Sequence, residues 1–334
     1  MKKTIYILVV LLLFFSCTKE IDISIPNSGS QFVVNGIIEN GKKPKVLLQR
    51  NLPYFEPLNI DFNNILNTFS FVNDATITIT NSYGQIDTLV NIINLGFPGL
   101  TDTWFYNYEG NMLGEEGVSY KLEISKQDTL VWAITTIPKL DPINKESLRF
   151  LYRPDDSLYC FMQLTVTDPD TIGNCYRLFS KTKPVNSDWA FDNILPKDGY
   201  DDFFISMLDN QGNYNDEYTN GLTFIAPNYK GRGFWQQWGQ QEDYETDEND
   251  EVDGNSGATT GFWNVGDEVM LKFSAVDRGS WDFWASLQYN NPGGPFGAPS
   301  QANTNINGGL GVFGGSSSEQ VYLIANPEVD QKFN

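Results

Sequence analysis

Residues 75–80 read Ala75-Thr76-Ile77-Thr78-Ile79-Thr80 and alternate between apolar and polar side chains. Successive side chains of a β-strand point to opposite faces of a sheet, so both isoleucines lie on one face and the threonines on the other. This alternation is typical of a strand that packs on a core with one face and meets water with the other. It predicts a half-buried β-strand at this position.

Segments of the same kind surround this strand from residue 31 to residue 138. Extended patterns recur at 32–38, 45–48, 86–92, 118–124 and 129–137, and turn signals such as Asn40-Gly41 and Tyr83-Gly84 separate them. About five to seven short strands without a helical period predict an immunoglobulin-like or transthyretin-like β-sandwich for residues 31–138.

A second β-rich domain is expected at 147–334, after a boundary near 139–146 that Pro138 and Pro142 punctuate. Apolar segments predict strands at 148–152, 158–167, 174–181 and 269–276. The Asp168-Pro169-Asp170 turn predicts that the second and third of these strands form a hairpin. The fold class is therefore expected to be mainly all-β.

One short helix is expected at 281–289, where Ser280 can cap the first turn and Pro292 ends the helix. A glycine-rich tail at 305–315 then leads to a last strand at 321–324. Glycines so close to apolar residues indicate tight turns or close packing of the backbone. A phosphate-binding loop is disfavoured, because the lysine and hydroxyl residue of a Walker sequence are missing.

The start of the chain has the pattern of a secretory leader. Lys2 and Lys3 precede an apolar run at 5–15, and Ser16 precedes the first cysteine, Cys17. The run is shorter than the roughly 20 residues that a membrane-spanning helix needs. We therefore expect a lipoprotein signal peptide at 1–16 and lipid chains on Cys17 that anchor the mature protein. A plain secretory signal followed by a chance cysteine is the alternative.

Residues 17–30 are polar and contain Pro26 and Gly29, which predicts a flexible tether between the lipid and the folded body. Directly after Cys17, the stretch Thr18-Lys19-Glu20-Ile21-Asp22 resembles the surface-export signal of Bacteroidota lipoproteins. This resemblance implies a lipid-anchored protein of the outer membrane that faces the cell exterior. An ordinary solvated linker is the alternative.

Charge and composition exclude several classes of function. Without the leader the chain has 20 basic and 42 acidic residues, a formal charge of −22, and such a surface repels nucleic acid. The chain contains no histidine, which excludes Ser-His-Asp and Cys-His catalytic sets and metal sites that need histidine. Catalysis by carboxylates alone remains open, and acid pairs such as Asp201 and Asp202 would serve a glycosidase.

Two cysteines, Cys160 and Cys175, remain after lipidation of Cys17. Export passes through an oxidising compartment, so a disulfide between them is allowed. The simple register of the predicted hairpin, however, places Cys175 opposite about Val166. Two separate buried thiols are the alternative.

Four aromatic residues form a candidate ligand-binding loop. Phe234, Trp235 and Trp238 lie among glycines and glutamines, and Tyr244 follows them. Aromatic rings on a polar loop can bind sugar rings or peptide side chains, and the amides can supply hydrogen bonds. The alternative is that these rings cover the second core, which is also the expected place of Trp281 and Trp284.

The acidic run at 242–254 contains a candidate calcium site. Asn249, Glu251 and Asp253 are followed by Gly254 and imitate the first half of a calcium-binding loop. The second half fails, because Thr260 stands where a bidentate acid is needed. A solvated loop of like charges is the alternative, and no other cofactor is expected.

Several segments together resemble a known family. They are the anchor cysteine with its charged neighbours, FVVNGII at 32–38, DATITIT at 74–80, GVSYKLEI at 117–124, GDEVMLKFSAVD at 266–277 and NINGGLGVFGG at 305–315. In this order they resemble the Bacteroidota lipoproteins classed as domain of unknown function 4249. The resemblance implies an accessory protein that works beside a TonB-dependent outer-membrane receptor, in nutrient capture or membrane assembly. The family offers no agreed catalytic residues that could be assigned to positions of this sequence.

The sequence thus predicts a surface-exposed lipoprotein that binds a glycan or peptide ligand, or a receptor, without catalysis. A carboxylate-only glycan hydrolase and a structural subunit of an outer-membrane assembly complex are the alternatives.

Overall fold

The computed structural model describes residues 30–51, 70–92, 106–141, 148–183, 205–206, 213–217, 219–228, 230, 261–289 and 302–329. Within these ranges the chain consists mainly of strands and has one helix, so the predicted all-β class is confirmed. The elements are β1 (Phe32–Glu39), β2 (Lys45–Arg50), β3 (Thr76–Asn81), β4 (Ile86–Thr88), β5 (Val90–Asn91), β6 (Tyr108–Glu109), β7 (Ser119–Lys126), β8 (Thr129–Thr136), β9 (Arg149–Arg153), β10 (Asp156–Thr167), β11 (Cys175–Lys183), β12 (Ile205–Ser206), β13 (Asn213–Asn215), β14 (Thr223–Asn228), β15 (Trp263–Asn264), β16 (Glu268–Val276), α1 (Arg278–Tyr289) and β17 (Leu310–Ile324).

The strands before residue 137 pack as a sandwich. A four-stranded sheet in the order β4-β3-β7-β8 covers β1 and β2 of a second sheet, and their inward side chains form one core. Ile77 and Ile79 are fully buried in that core, as the alternation of β3 predicts. The predicted hairpin of β1 and β2 is also confirmed, with Phe32 opposite Arg50 and with Gly41 at a positive φ of 72° in its turn.

A second core lies between β10 with its neighbours and the strands β11, β16 and β17. Trp263 of β15 fills its centre, where its ring meets Phe150 edge to face at 5.7 Å between the centroids. The Trp263 Nε1 donates a 3.1 Å hydrogen bond to Thr182 Oγ1, so the buried indole nitrogen is satisfied.

Strand β17 joins the two cores, because it belongs to one sheet of nine strands that runs through both. It pairs in parallel with β1 on one side and antiparallel with β16 on the other. Its side chain Phe313 lies in the first core, whereas Val321 and Leu323 lie in the second. These residues are an even number of positions apart, so both cores lie on the same face of the long sheet.

The glycine-rich tail is therefore part of a strand, and its glycines serve close packing. A Cβ at Gly311, whose φ is 103°, would overlap the carbonyl oxygen of Val34 in β1. A Cβ at Gly315 would lie 2.8 Å from the carbonyl oxygen of Thr136 in β8. The expectation of tight turns is wrong for residues 310–315, and the expectation of close backbone packing is confirmed.

The predicted hairpin of 158–167 and 174–181 is wrong, although both segments are strands. β10 pairs with β9, β14 and β15, whereas β11 pairs with β12, β13 and β16 in the long sheet. The turn after β10 carries the chain from one sheet to the other across the second core. The predicted division into 31–138 and 147–334 stays a prediction, and Phe313 shows that the end of the chain contributes to the first core.

Helix α1 begins at Arg278, earlier than predicted, and packs on the opposite face of the long sheet beside β17. Its cap is Asp277 rather than Ser280. Asp277 Oδ1 accepts a 3.1 Å hydrogen bond from the Ser280 N–H, which is the arrangement of an N-cap residue with the third residue of the helix.

Candidate functional site

Most of the residues that the sequence nominates lie outside the described ranges. These are Cys17, the aromatic set Phe234, Trp235, Trp238 and Tyr244, the acidic set Asn249, Glu251 and Asp253, and the pair Asp201 and Asp202. Their roles stay predictions. In the described ranges no three His, Cys, Asp or Glu side chains come together as a group that could hold a metal ion.

Cys160 and Cys175 are described, and both are free and buried. Cys160 points into the second core, where its Sγ lies 3.5 Å from the carbonyl oxygen of Ala325. Cys175 starts β11, with its Sγ 3.7 Å from the carbonyl oxygen of Gly173. The disulfide that we considered is therefore absent from this structure, because β10 and β11 belong to different sheets.

The two predicted core tryptophans of the helix are only half-buried. Trp284 lies beneath the guanidinium of Arg177, at 4.9 Å, and Trp281 lies beneath that of Arg278, at 5.3 Å. Both contacts have the geometry of cation–π pairs. The Trp284 contact thus joins α1 to β11, whereas the Trp281 contact lies within α1. Both rings lie outside the two cores.

Asp277 lies where the long sheet and the helix meet. Its Oδ2 accepts hydrogen bonds from the Gly315 N–H, at 2.9 Å, and from the Ser280 hydroxyl, at 2.5 Å. Burial raises the pKa of Asp277, and these hydrogen bonds offset part of that rise. One carboxyl therefore holds the end of β16, the start of α1 and the middle of β17 together.

A cleft of about 220 Å³ opens beside Asp277. Its walls come from the end of β8, the turn between β10 and β11, and the start of α1, and they include Lys139, Asn174, Cys175 and Arg278. Burial raises the pKa of the Cys175 thiol to about 12, so this group stays protonated at neutral pH and is a poor nucleophile. The cleft offers charges of both signs for a small polar ligand, and its only cysteine is inert.

The outer face of β8 is the second candidate site, and it is apolar. Leu130 is 56% exposed, Trp132 37% and Ile134 54%, whereas the alternate residues Val131 and Ala133 are fully buried. We call these three outward residues the β8 stripe. Thr129–Thr136 thus carries apolar side chains on both faces, which is typical of strands that are covered on both faces.

The β8 stripe lies at the edge of its sheet, next to the Lys121 and Glu123 side chains of β7. Lys121 Nζ lies 5.8 Å from the centre of the Trp132 ring and 2.7 Å from Glu123 Oε1. The backbone of Trp132 also exchanges hydrogen bonds with Asn307, at 3.2 and 2.8 Å. These contacts hold the Trp132 ring beside β7 and the Trp132 backbone against Asn307. The stripe was not among the predicted sites, although the apolar run Leu130-Val131-Trp132-Ala133-Ile134 is its signal in the sequence.

No helix in the described part of the chain has the length and apolarity that a membrane crossing requires. No curated protein and no solved structure matches the chain. A family model described as "Domain of unknown function (DUF4249)" matches residues 18–321, which is most of the chain and includes the β8 stripe, the first core and all of the second core except Leu323 and Ala325. The protein belongs to this family of unknown function, DUF4249.

Proposed function

We propose that this protein is a lipid-anchored lipoprotein of the outer membrane that faces the cell exterior and binds a partner without catalysing a reaction. The observation that carries the proposal is the β8 stripe, an exposed apolar row on an edge strand. Apolar surface of this kind is stabilised when a partner removes it from water. The partner that we propose is a TonB-dependent β-barrel receptor, which the protein would assist in nutrient capture.

Three further properties support a binding role. The pattern of leader and Cys17 predicts a tether that holds the folded body near the membrane. The absence of histidine removes the most common general base. Burial raises the pKa of both described cysteine thiols to about 12, which argues against thiolate chemistry.

The test is co-purification of the tagged full-length protein from detergent-solubilised outer membranes of the cells that produce it. The stripe variant carries Leu130→Ser, Trp132→Ser and Ile134→Ser. The matched control carries Leu158→Ser, Tyr322→Ser and Ile324→Ser, which remove exposed apolar side chains elsewhere. We expect mass spectrometry to identify one β-barrel receptor with the wild type and the control, and at least tenfold less of it with the stripe variant.

Equal recovery of the receptor with the stripe variant would disprove docking through β8. Intact-mass analysis of the same preparations tests the anchor, since a mature end at Cys17 without acyl chains would remove it. Incubation with a panel of glycans tests catalysis, because release of product would instead favour the carboxylate-only hydrolase. Recovery of a whole assembly complex would favour the structural-subunit alternative.

A further inference from the structure

Two polar loops meet at one end of the second core. The first joins β10 to β11 and contains Asp168, and the second precedes β14 and contains Asp216 and Asn220. The Asp168 N–H donates to the Leu222 carbonyl oxygen at 3.0 Å, and the Asp216 N–H donates to the Asn174 carbonyl oxygen at 3.1 Å. These backbone bonds fix the two loops against each other.

Three oxygen atoms in this place are buried without a hydrogen-bond partner. They are both carboxyl oxygens of Asp168, a residue that is only 2% exposed, and the side-chain oxygen Oδ1 of Asn220. They make up half of the six buried side-chain N and O atoms that lack a partner among the described residues. Buried acceptors without donors are rare in folded proteins, so their concentration here calls for a bound group that satisfies them.

Other groups around these oxygens do not satisfy them. The Tyr176 hydroxyl, the Asn174 amide and the Gly221 N–H lie close enough to lower the pKa of Asp168, but none has the geometry of a hydrogen bond to it. The Asn220 Nδ2 donates a 3.1 Å hydrogen bond to Asp170 Oδ1. This bond fixes the orientation of the amide and leaves its Oδ1 without a donor. The contacts of the two loops therefore fix the positions of the unpaired oxygens.

The site is also negatively charged. Asp216 is 4% exposed, and its Oδ2 accepts hydrogen bonds from the backbone N–H groups of Gly173 and Asn174, the latter at 3.0 Å. A second buried carboxyl beside it is costly as an anion unless a cation compensates the charge.

We propose that the Asp168 carboxylate and the Asn220 Oδ1 bind a calcium ion, with Asp216 as a second negative charge beside it and water as the remaining ligands. Calcium prefers carboxylate and amide oxygens and tolerates irregular geometry, whereas magnesium demands a near-ideal octahedron. The site uses one amide oxygen and two carboxylates, so it requires no group of three acidic side chains. With so few charged ligands, we expect a dissociation constant in the range of about 0.1–1 mM, as in extracellular calcium modules.

This proposal assigns calcium to residues other than the acidic run at 242–254, and the two assignments can be compared directly. The tested variants are Asp168→Asn, which keeps the shape of the side chain, and Asn220→Ala, which removes the second ligand. The matched control is the double variant Glu251→Gln and Asp253→Asn, which removes two charges from the acidic run. The proposal does not depend on the lipid anchor or on a receptor.

Two measurements are made on the mature chain after treatment with EDTA. The first is the thermal unfolding midpoint in about 0.01–10 mM CaCl2, compared with MgCl2. The second is terbium luminescence excited through aromatic residues, because Tyr176 lies beside the Asp168 carboxyl and terbium replaces calcium. For the wild type and the control we expect a rise of several degrees with calcium, a smaller rise with magnesium, and terbium emission that calcium displaces.

Loss of both signals in Asp168→Asn and in Asn220→Ala, with circular dichroism like that of the wild type, would support the site. A wild type that responds to neither ion would overturn it, and so would a full response in Asp168→Asn. Loss of the response in the control alone would place the ion in the acidic run instead. If one variant fails to fold, the other decides.

Discussion

A carboxyl group buried as deeply as that of Asp168 keeps its proton to a higher pH in the folded chain than in the unfolded chain. Burial is the main cause, the nearby Asp216 adds to the rise, and the ordinary value is 3.8. A raised folded pKa means that stability from this group is fully present below pH 3.8 and is lost as pH rises through the folded pKa. Without calcium, Asp168 therefore weakens the fold at neutral pH.

Asp168→Asn removes this dependence, because an amide carries no charge at any of these pH values. In EDTA we expect the variant to have a free energy of unfolding at least about 1 kcal/mol above that of the wild type at pH 7. The difference should shrink as the pH falls toward 4. Urea denaturation at several pH values measures it, with Asp155→Asn on an exposed turn as the control. Parallel profiles of Asp168→Asn and the wild type would refute the assignment.

At the scale of a single element, β17 depends on the absence of a side chain at Gly311, where it pairs with β1. Gly311 and Gly84 both have a positive φ, of 103° and 83°, so alanine strains the backbone at either position. They differ in space, since a Cβ at Gly84 meets nothing within 4 Å and a Cβ at Gly311 would lie 2.8 Å from the Val34 carbonyl carbon. The pair separates the cost of the dihedral angle from the cost of the overlap.

We expect Gly84→Ala to lower the free energy of unfolding by about 1–2 kcal/mol. Gly311→Ala should lower it by more than about 3 kcal/mol or prevent folding, because the strands must also move apart. Urea denaturation monitored by circular dichroism measures both. Similar losses for the two variants would mean that the strands are not as closely packed as described.

The sequence predicts elements well where one face meets water. β3 and β7 show the alternation of period two because core and solvent lie on opposite sides of them. The sheets to which β10 and β11 belong could not be predicted. One turn joins the two strands, and only tertiary packing places them in different sheets. The glycines of β17 were ambiguous for a related reason, because turns and close strand packing both select glycine.

The candidate sites were harder to predict than the strands. The β8 stripe had a visible signal in the apolar run 130–134, but a buried strand gives the same signal. The oxygens of Asp168 and Asn220 lie 52 positions apart in the sequence, and Asp168 is a common type of turn residue. Their shared lack of donors appears only once the fold brings the two loops together.

At the scale of the whole molecule, the end of the chain supplies a strand and a core residue to the first sandwich. Phe313 is fully buried in the first core, opposite Gly36 of β1, where a side chain would meet the Phe313 ring. Lys272 of β16 also forms a 2.9 Å ion pair with Glu39 of β1, across β17, with both side chains mostly buried. Without β17, the first sandwich therefore lacks the strand that pairs with β1 and the core side chain of Phe313.

A fragment of residues 30–141 therefore tests whether the predicted first domain folds alone. We expect it to aggregate or to unfold without a cooperative transition, because the edge of β1 and the space for Phe313 are open to water. Appending residues 302–318 through a flexible linker of about 15 Gly and Ser residues should restore a cooperative unfolding transition. The same fusion with Phe313→Ser should be markedly less stable, since its strand can pair but its core stays unfilled. Cooperative unfolding of residues 30–141 without the appended strand would show that the first sandwich is an independent domain and that β17 only docks on it.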